Sequence, residues 1–177
     1  LILIWIKKTD EVIVNAYTCV SVVNAVIQTW VQIKYCDINT NNFWFDIKKL
    51  EEAITKKTKV IIVQHTFWKN SNIEKIIKIA RENNILVIED CAHSLWTKIN
   101  KKHLWTFWDF AIFSTGRDKV ISSVTGWFLL INNTKYFKNI QKIEKSLILP
   151  SIKLTIQNHL YNLIAFISYK TYDFLYI

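Results

Sequence analysis

At 177 residues, with 51% hydrophobic and 21% charged side chains, the chain is the size of one ordinary domain and can bury a real core, which excludes a disordered segment. Its net charge of +9 invites a nucleic-acid or membrane-surface partner. The lysines are scattered, however, and only Arg81 and Arg117 supply guanidinium groups, so the charge reads mainly as a solvated surface and no nucleic-acid partner is expected.

In chain order, Leu1 to Ile6 reads as the tail of a helix. Glu11 to Val14 is a short β-branched run and predicts a strand. Thr18 is placed to cap a helix running through Thr29, with Val22, Val23, Val26 and Ile27 at helical spacing. Val31 to Cys36 predicts the next strand. A turn-rich loop over 39–45 precedes Asp46, which should cap a helix with Ile47, Leu50 and Ile54 inward. Lys59 to His65 is a nearly continuous apolar strand, the pattern of a sheet covered on both faces.

Asn72 should cap a helix to Asn83 with Ile73, Ile76, Ile77 and Ala80 on one face, and Leu86 to Glu89 is another buried strand. This alternation predicts right-handed βαβ units and a parallel sheet. Residues 97–108 predict a loop with a short hairpin. Phe110 to Phe113 and Phe128 to Ile131 predict the last strands, and Thr134 to Leu147 a helix. Pro150 is the one proline and marks a break. The apolar tail from Ser151 reads as helix that packs on a further portion of the protein, with peripheral membrane contact as the lesser alternative.

Three widely spaced cysteines, Cys19, Cys36 and Cys91, suit a reducing compartment and show no metal-ligand spacing, so no metal is expected. L-I-L-I-W-I-K-K is too short for a signal peptide, and no apolar run reaches bilayer length, so no transmembrane segment is expected. The expected location is cytoplasmic.

The chemistry concentrates between Val87 and Phe128. V-I-E-D-C-A-H-S-L places two carboxylates at the end of one apolar run. F-A-I-F-S-T-G-R-D-K places a Ser at the end of a second, with a Lys five residues on. Side chains at successive strand exits of a parallel sheet converge on one crevice. A carboxylate and an amine facing each other there could hold a pyridine ring and form a Schiff base with it.

The glycine and tryptophan usage is abnormal. Gly is 2 and Trp is 8, where average usage would put Gly near 12. Trp30 follows a helical pattern at a position that usually favours a left-handed residue. Trp5 occupies a similar joint, Trp68, Trp96, Trp105 and Trp108 fall in loops, and Trp127 follows Gly126. We read these Trp as glycines of the natural protein, specified by a UGA codon reassigned to Gly. The alternative is a chain with genuine aromatic anchors.

Three motifs, D-E-V-I-V-N-A-Y-T, V-I-E-D-C-A-H-S-L and F-S-T-G-R-D-K followed by T-G-W, together resemble the DegT/DnrJ/EryC1/StrS sugar aminotransferases. These are pyridoxal-phosphate enzymes of the aspartate-aminotransferase fold. The resemblance runs from about Trp5 to about Asn132 and also puts family glycines at most of the Trp positions. It implies an α/β fold: a three-layer PLP-transferase large domain with a mostly parallel sheet, incomplete at both ends. Residues 1–149 would be a partial PLP-binding domain, and 150–177 a helical tail leading toward a C-terminal domain. The family's phosphate-binding Gly-Thr motif would lie upstream of Leu1.

The resemblance also implies site roles, each with a plainer alternative. Asp90 matches the aspartate that pairs with the pyridine nitrogen; otherwise it caps a strand exit. Lys119 matches the Schiff-base lysine and proton carrier; otherwise it is one more surface charge among 23 Lys and Arg. Ser114 matches the phosphate-binding Ser, or is a turn residue. His93 stands where members place Gln or His beside the ring's 3′ oxygen, or is structural. Thr18 and Cys19 lie where a loop covers the ring, although Cys19 replaces a usual aromatic and Asn15 a usual Pro. His65 matches a family His near the substrate cleft.

The implied activity is PLP-dependent transfer of an amino group from an amino acid, glutamate foremost, to a nucleotide-linked keto sugar by a homodimer. A dehydratase branch of the family replaces the lysine with His, and Lys119 argues against it. A chain this incomplete is expected to be inactive alone. The rival readings are a non-catalytic relative acting as a regulatory or binding protein, and a basic nucleic-acid-binding domain.

Overall fold

The computed structural model describes residue 1 and residues 4–171. The expected leading helix falls partly on residues 2–3 and the end of the tail on 172–177, which lie outside the described residues. The elements are β1 (Glu11–Asn15), α1 (Val20–Ile27), β2 (Gln32–Cys36), α2 (Ile47–Ala53), β3 (Thr58–Gln64), α3 (Ile73–Glu82), β4 (Leu86–Asp90), a hairpin of β5 (Lys98–Ile99) and β6 (Lys102–His103), β7 (Phe110–Ser114), β8 (Trp127–Ile131), α4 (Phe137–Ser146) and α5 (Ile152–Thr171). The main sheet has the order β2-β1-β3-β4-β7-β8. It is parallel except for its last pair, β7 with β8.

Side chains alternate across a strand, and both faces here are apolar. Ile13, Ile61, Val63 and Val87 point one way, toward Leu50 of α2 and Ile73, Ile76 and Ala80 of α3. Val12, Val14, Val60, Ile62 and Ile88 point the other way, toward Val26 of α1 and the partly buried Ile140 and Ile143 of α4. Two helix layers therefore sandwich the sheet, which is why β1 and β3 read as continuous apolar runs. The three-layer α/β architecture expected from the alternation is present.

Two expected helix caps are corrected. Asp46 does cap α2, accepting from Lys49 N–H at 3.2 Å. Thr18 does not cap α1: Cys19 is the N-cap residue, and the Thr18 hydroxyl is drawn instead to Gln64 Oε1 at 2.5 Å. Asn72 holds the expected N-cap position of α3, but in a left-handed conformation and without a side-chain cap bond. Asn70 accepts from Ile73 N–H in its place, at 3.1 Å.

Trp5 (φ 54°) and Trp30 (φ 60°) adopt the left-handed backbone that favours glycine. Among the described residues no other Trp has a positive φ. Two of the others show a different misfit: the indole N–H groups of Trp44 and Trp108 are buried without a hydrogen-bond partner, which is unfavourable for a donor removed from water.

Candidate functional site

Parallel pairing brings the exits of β1, β3, β4 and β7 to one edge of the sheet, and a cavity of about 450 Å³ opens there. Asp90, His93, Ser114, Lys119 and Cys19 all line it. Thr18 stands behind the lining and reaches it through its bond to Gln64, which does line it. The residues expected to share one site are thus neighbours, although they come from positions 18 to 119.

Asp90 ends β4, where its backbone pairs with Gln64 on one side and Ile112 on the other. Its side chain falls on the α1 face, accepts from Ala92 N–H at 3.0 Å, and is 6% exposed. Burial pushes its pKa above the usual aspartate range, against smaller opposing effects from the Ala92 N–H, His65, His93 and Lys119. A carboxyl desolvated in this way and facing a cavity is stabilised by any cationic or N–H donor brought to it.

Lys119 sits in the turn that follows β7, with its N–H donating to Gly116 C=O at 3.1 Å. Its Nζ lies 3.1 Å from His93 Nε2 and 2.9 Å from Asp118 Oδ2. Asp118 is mostly exposed, so that ion pair is screened, whereas the lysine side chain is only 15% exposed. Ser114 Oγ accepts from Gly116 N–H at 3.3 Å. The turn is closed by Thr115 N–H donating to Gly126 C=O at 2.9 Å. Gly126 has φ 142°, and a Cβ there would stand 2.6 Å from Thr115 Oγ1, so this position requires glycine.

His65 does not lie in the cleft, correcting the expectation from resemblance. It is fully buried on the opposite face of the sheet. Its Nε2 is 3.1 Å from Glu89 Oε2, and Ser71 N–H reaches its Nδ1 at 3.4 Å. That second contact favours the tautomer with the proton on Nε2, which donates to Glu89. Glu89 Oε1 accepts from Phe107 N–H at 3.2 Å. Donor atoms of His65, Glu89 and Cys91 lie within 4.8 Å of one another, but the cluster is sealed and its His and carboxylate atoms are already bonded.

Several site residues were missed from sequence. Gln64 is invisible to motif reading until register pairs it with Asp90. Asp118 carries no sequence signal of its own beside Lys119. Tyr17, Phe43 and Phe67, which gather near His93, carry only a weak signal, a ring in each of three successive strand-exit loops. A second cavity of about 600 Å³ adjoins the first and is lined mainly by apolar residues of α1 and the sheet. Asp90 lines both. The three cysteines are free thiols, and among the described residues no helix is long and apolar enough to cross a membrane.

Residues 1–152 match the model of the DegT/DnrJ/EryC1/StrS aminotransferase family. The GDP-perosamine synthase of Escherichia coli O157:H7 is 32% identical over 133 residues, which are 75% of this chain and 36% of that protein. An aminotransferase structure from Psychrobacter cryohalolentis shares the fold, with a TM-score of 0.76 at 21% identity over 80% of this chain and 36% of that one. The Escherichia coli GDP-4-keto-6-deoxy-D-mannose-3-dehydratase with bound hydrated PLP gives a TM-score of 0.70 at 27% identity, covering 76% of this chain and 35% of that one. The chain spans about a third of the length of the curated relatives it matches.

Proposed function

Because the chain belongs to the DegT/DnrJ/EryC1/StrS aminotransferase family, we propose that it is the cofactor-binding part of a cytoplasmic, dimeric pyridoxal-phosphate enzyme that moves an amino group from an amino acid, glutamate foremost, to a nucleotide-linked keto sugar. The observation that carries this reading is the shared cavity of Asp90, His93, Ser114 and Lys119.

The residues present fit the cofactor. A desolvated carboxyl facing the cavity suits a protonated ring nitrogen, a largely buried lysine amine suits an aldehyde carbon, and the Ser114 hydroxyl beside Gly116 suits a phosphate. Asp90, Lys119 and Ser114 would hold the group, with His93 beside the ring oxygen and Cys19 on the covering loop. Pyridoxal phosphate, when bound, supplies an electron-accepting ring that stabilises negative charge left on an amino acid's α-carbon.

The work left to this chain is proton placement. With the cofactor bound, Asp90 would hold a proton on the ring nitrogen, and its low exposure would strengthen that pairing by excluding water. Lys119 Nζ takes the proton from the substrate α-carbon and returns it on the far side of the transfer. His93, 3.1 Å from that amine, orients it. A lysine at position 119 supports transamination over the dehydration named for one of the relatives.

The test is cofactor uptake. Incubation with pyridoxal phosphate should produce a visible absorption band, and borohydride reduction followed by peptide mapping should find the label on Lys119. Lys119→Ala should lose the band while retaining the fold. Label spread over surface lysines, with no band, would sink the assignment.

A further inference from the structure

Three rings stand on the loops that leave the first three strands in spatial order. Phe43 follows β2, Tyr17 follows β1 and Phe67 follows β3, and the next exit along, that of β4, carries His93. The ring centroids of Tyr17 and Phe43 are 5.7 Å apart, those of Phe43 and Phe67 6.3 Å, and those of Tyr17 and Phe67 6.5 Å. Phe67 is stacked toward the His93 ring at 6.3 Å with a 16° interplanar angle. His93 in turn contacts Lys119 Nζ. The cluster therefore adjoins the cavity through His93, which lines it while the three rings do not, and extends toward the β2 edge of the sheet.

Two features set the cluster apart from ordinary packing. All three rings remain in water, with Tyr17 47%, Phe43 38% and Phe67 48% exposed. Phe43 (φ 62°) and Phe67 (φ 53°) are also held in the left-handed region, where a bulky residue is a genuine outlier. Strain of this kind persists where the surroundings over-determine it, and it collects at ligand sites. The core does not need these rings, since they are half outside it.

From this geometry we infer that Tyr17, Phe43 and Phe67 form a stacking platform for the base of the nucleotide carried by the substrate. The inference rests on the proposed function for the identity of the second substrate. It adds where the non-reacting end of that molecule lies. With the sugar held at Lys119, the base reaches out over His93 onto the three rings. Their uncharged faces suit a planar base, and contribute little toward phosphates. Base-on-ring stacking tolerates different bases, so the platform selects for a nucleotide and leaves its identity to other contacts.

The experiment is calorimetric titration of the full chain with GDP, using inorganic pyrophosphate as the control for attraction to a basic surface. Phe67→Gly removes a ring and relieves a left-handed phenylalanine together. It should raise the Kd for GDP about tenfold while raising Tm by about 2–4 °C. A merely structural ring would not move those two readouts in opposite directions. Tyr17→Leu should weaken GDP similarly without the gain in Tm.

Neither variant should alter pyrophosphate binding or the pyridoxal-phosphate band. Unchanged GDP binding in both variants would overturn the platform, as would equal weakening of GDP and pyrophosphate. A variant that shifts the chain between dimer and monomer would also overturn it, because the rings would then be a contact between copies. A wild-type chain that takes up pyridoxal phosphate but not GDP refutes the platform alone. Ring-dependent GDP binding without cofactor uptake refutes the transaminase reading instead.

Discussion

Two adjacent carboxyls at the end of β4 have opposite surroundings. Glu89 points to the α2 and α3 face, is sealed from solvent, and has both oxygens bonded, one to His65 and one to Phe107 N–H. Asp90 points to the α1 face, accepts one backbone bond from Ala92, and borders an open cavity with Lys119 and His93. Burial raises the pKa of both, so burial alone does not distinguish them. What differs is completion: one compartment satisfies its acid from within the fold, and the other leaves its acid facing space. A site poised for a ligand is recognised by that incompleteness, because a desolvated carboxyl with a single backbone partner carries a standing penalty that a ligand can remove.

The largest expected effect comes from breaking the sealed side. Glu89→Ala strands His65 and the Phe107 N–H in a place water does not reach, and removing one member of a buried pair typically costs about 3–5 kcal/mol. Chemical denaturation should show a loss of that size, with the apolar core of β1 and β3 failing to compensate. A loss below about 1 kcal/mol would mean that the two compartments are less different than their bonding indicates.

Asp90→Asn should do the reverse. Asparagine keeps an oxygen for Ala92 N–H and removes the desolvated charge, so the cofactor-free protein should gain about 1–3 kcal/mol at neutral pH while its uptake of pyridoxal phosphate falls sharply. The sign of the pH dependence follows from the raised folded pKa. Below the ordinary aspartate range, Asp90 is protonated in both folded and unfolded chains and costs nothing. As pH rises through the folded value, the unfolded chain ionises more readily and stability is lost. The advantage of Asp90→Asn over wild type should therefore vanish in acid and grow toward neutrality, as read from Tm across a pH series. An advantage that is flat with pH would point to packing instead of charge.

How far this contrast was legible in the sequence depends on which part of it is asked about. The alternation of apolar runs with 3.6-residue patterns was enough for the parallel sheet and its helix layers, and the spacing around Asp90, Ser114 and Lys119 was enough to bring these three together. Opposite faces for positions 89 and 90 follow from the two-residue period of any strand. Which face would be closed does not. That depends on His65 and Phe107 arriving from 24 residues before and 18 after, and on the register that sets Gln64 beside Asp90. Thr18 illustrates the same limit: local chemistry favours a helix cap, and a long-range partner at Gln64 prevails. The left-handed phenylalanines were illegible for a related reason, since nothing in a local pattern asks for a bulky residue at φ > 0.

The smallest effect sharpens the link between strain and function. Trp30 shares the left-handed backbone of Phe43 and Phe67, but it stands at the joint between α1 and β2, 74% exposed, with Lys8 Nζ 5.5 Å from its ring as a cation–π partner. It borders neither compartment at β4. Strain at Trp30 therefore has no site to serve, and Trp30→Gly should relieve it at the loss of only an exposed cation–π contact worth about 0.5–1 kcal/mol. Glycine at a left-handed position recovers about 1 kcal/mol or slightly more, so the net change should lie between zero and about 1 kcal/mol in favour of the variant, with cofactor uptake and GDP binding untouched. Phe67→Gly should show a comparable gain but weaken GDP binding about tenfold. If Trp30→Gly instead destabilises the chain, the indole is a true anchor and the reading of these tryptophans as glycines fails, as it would if UGG stood at most of the eight codons.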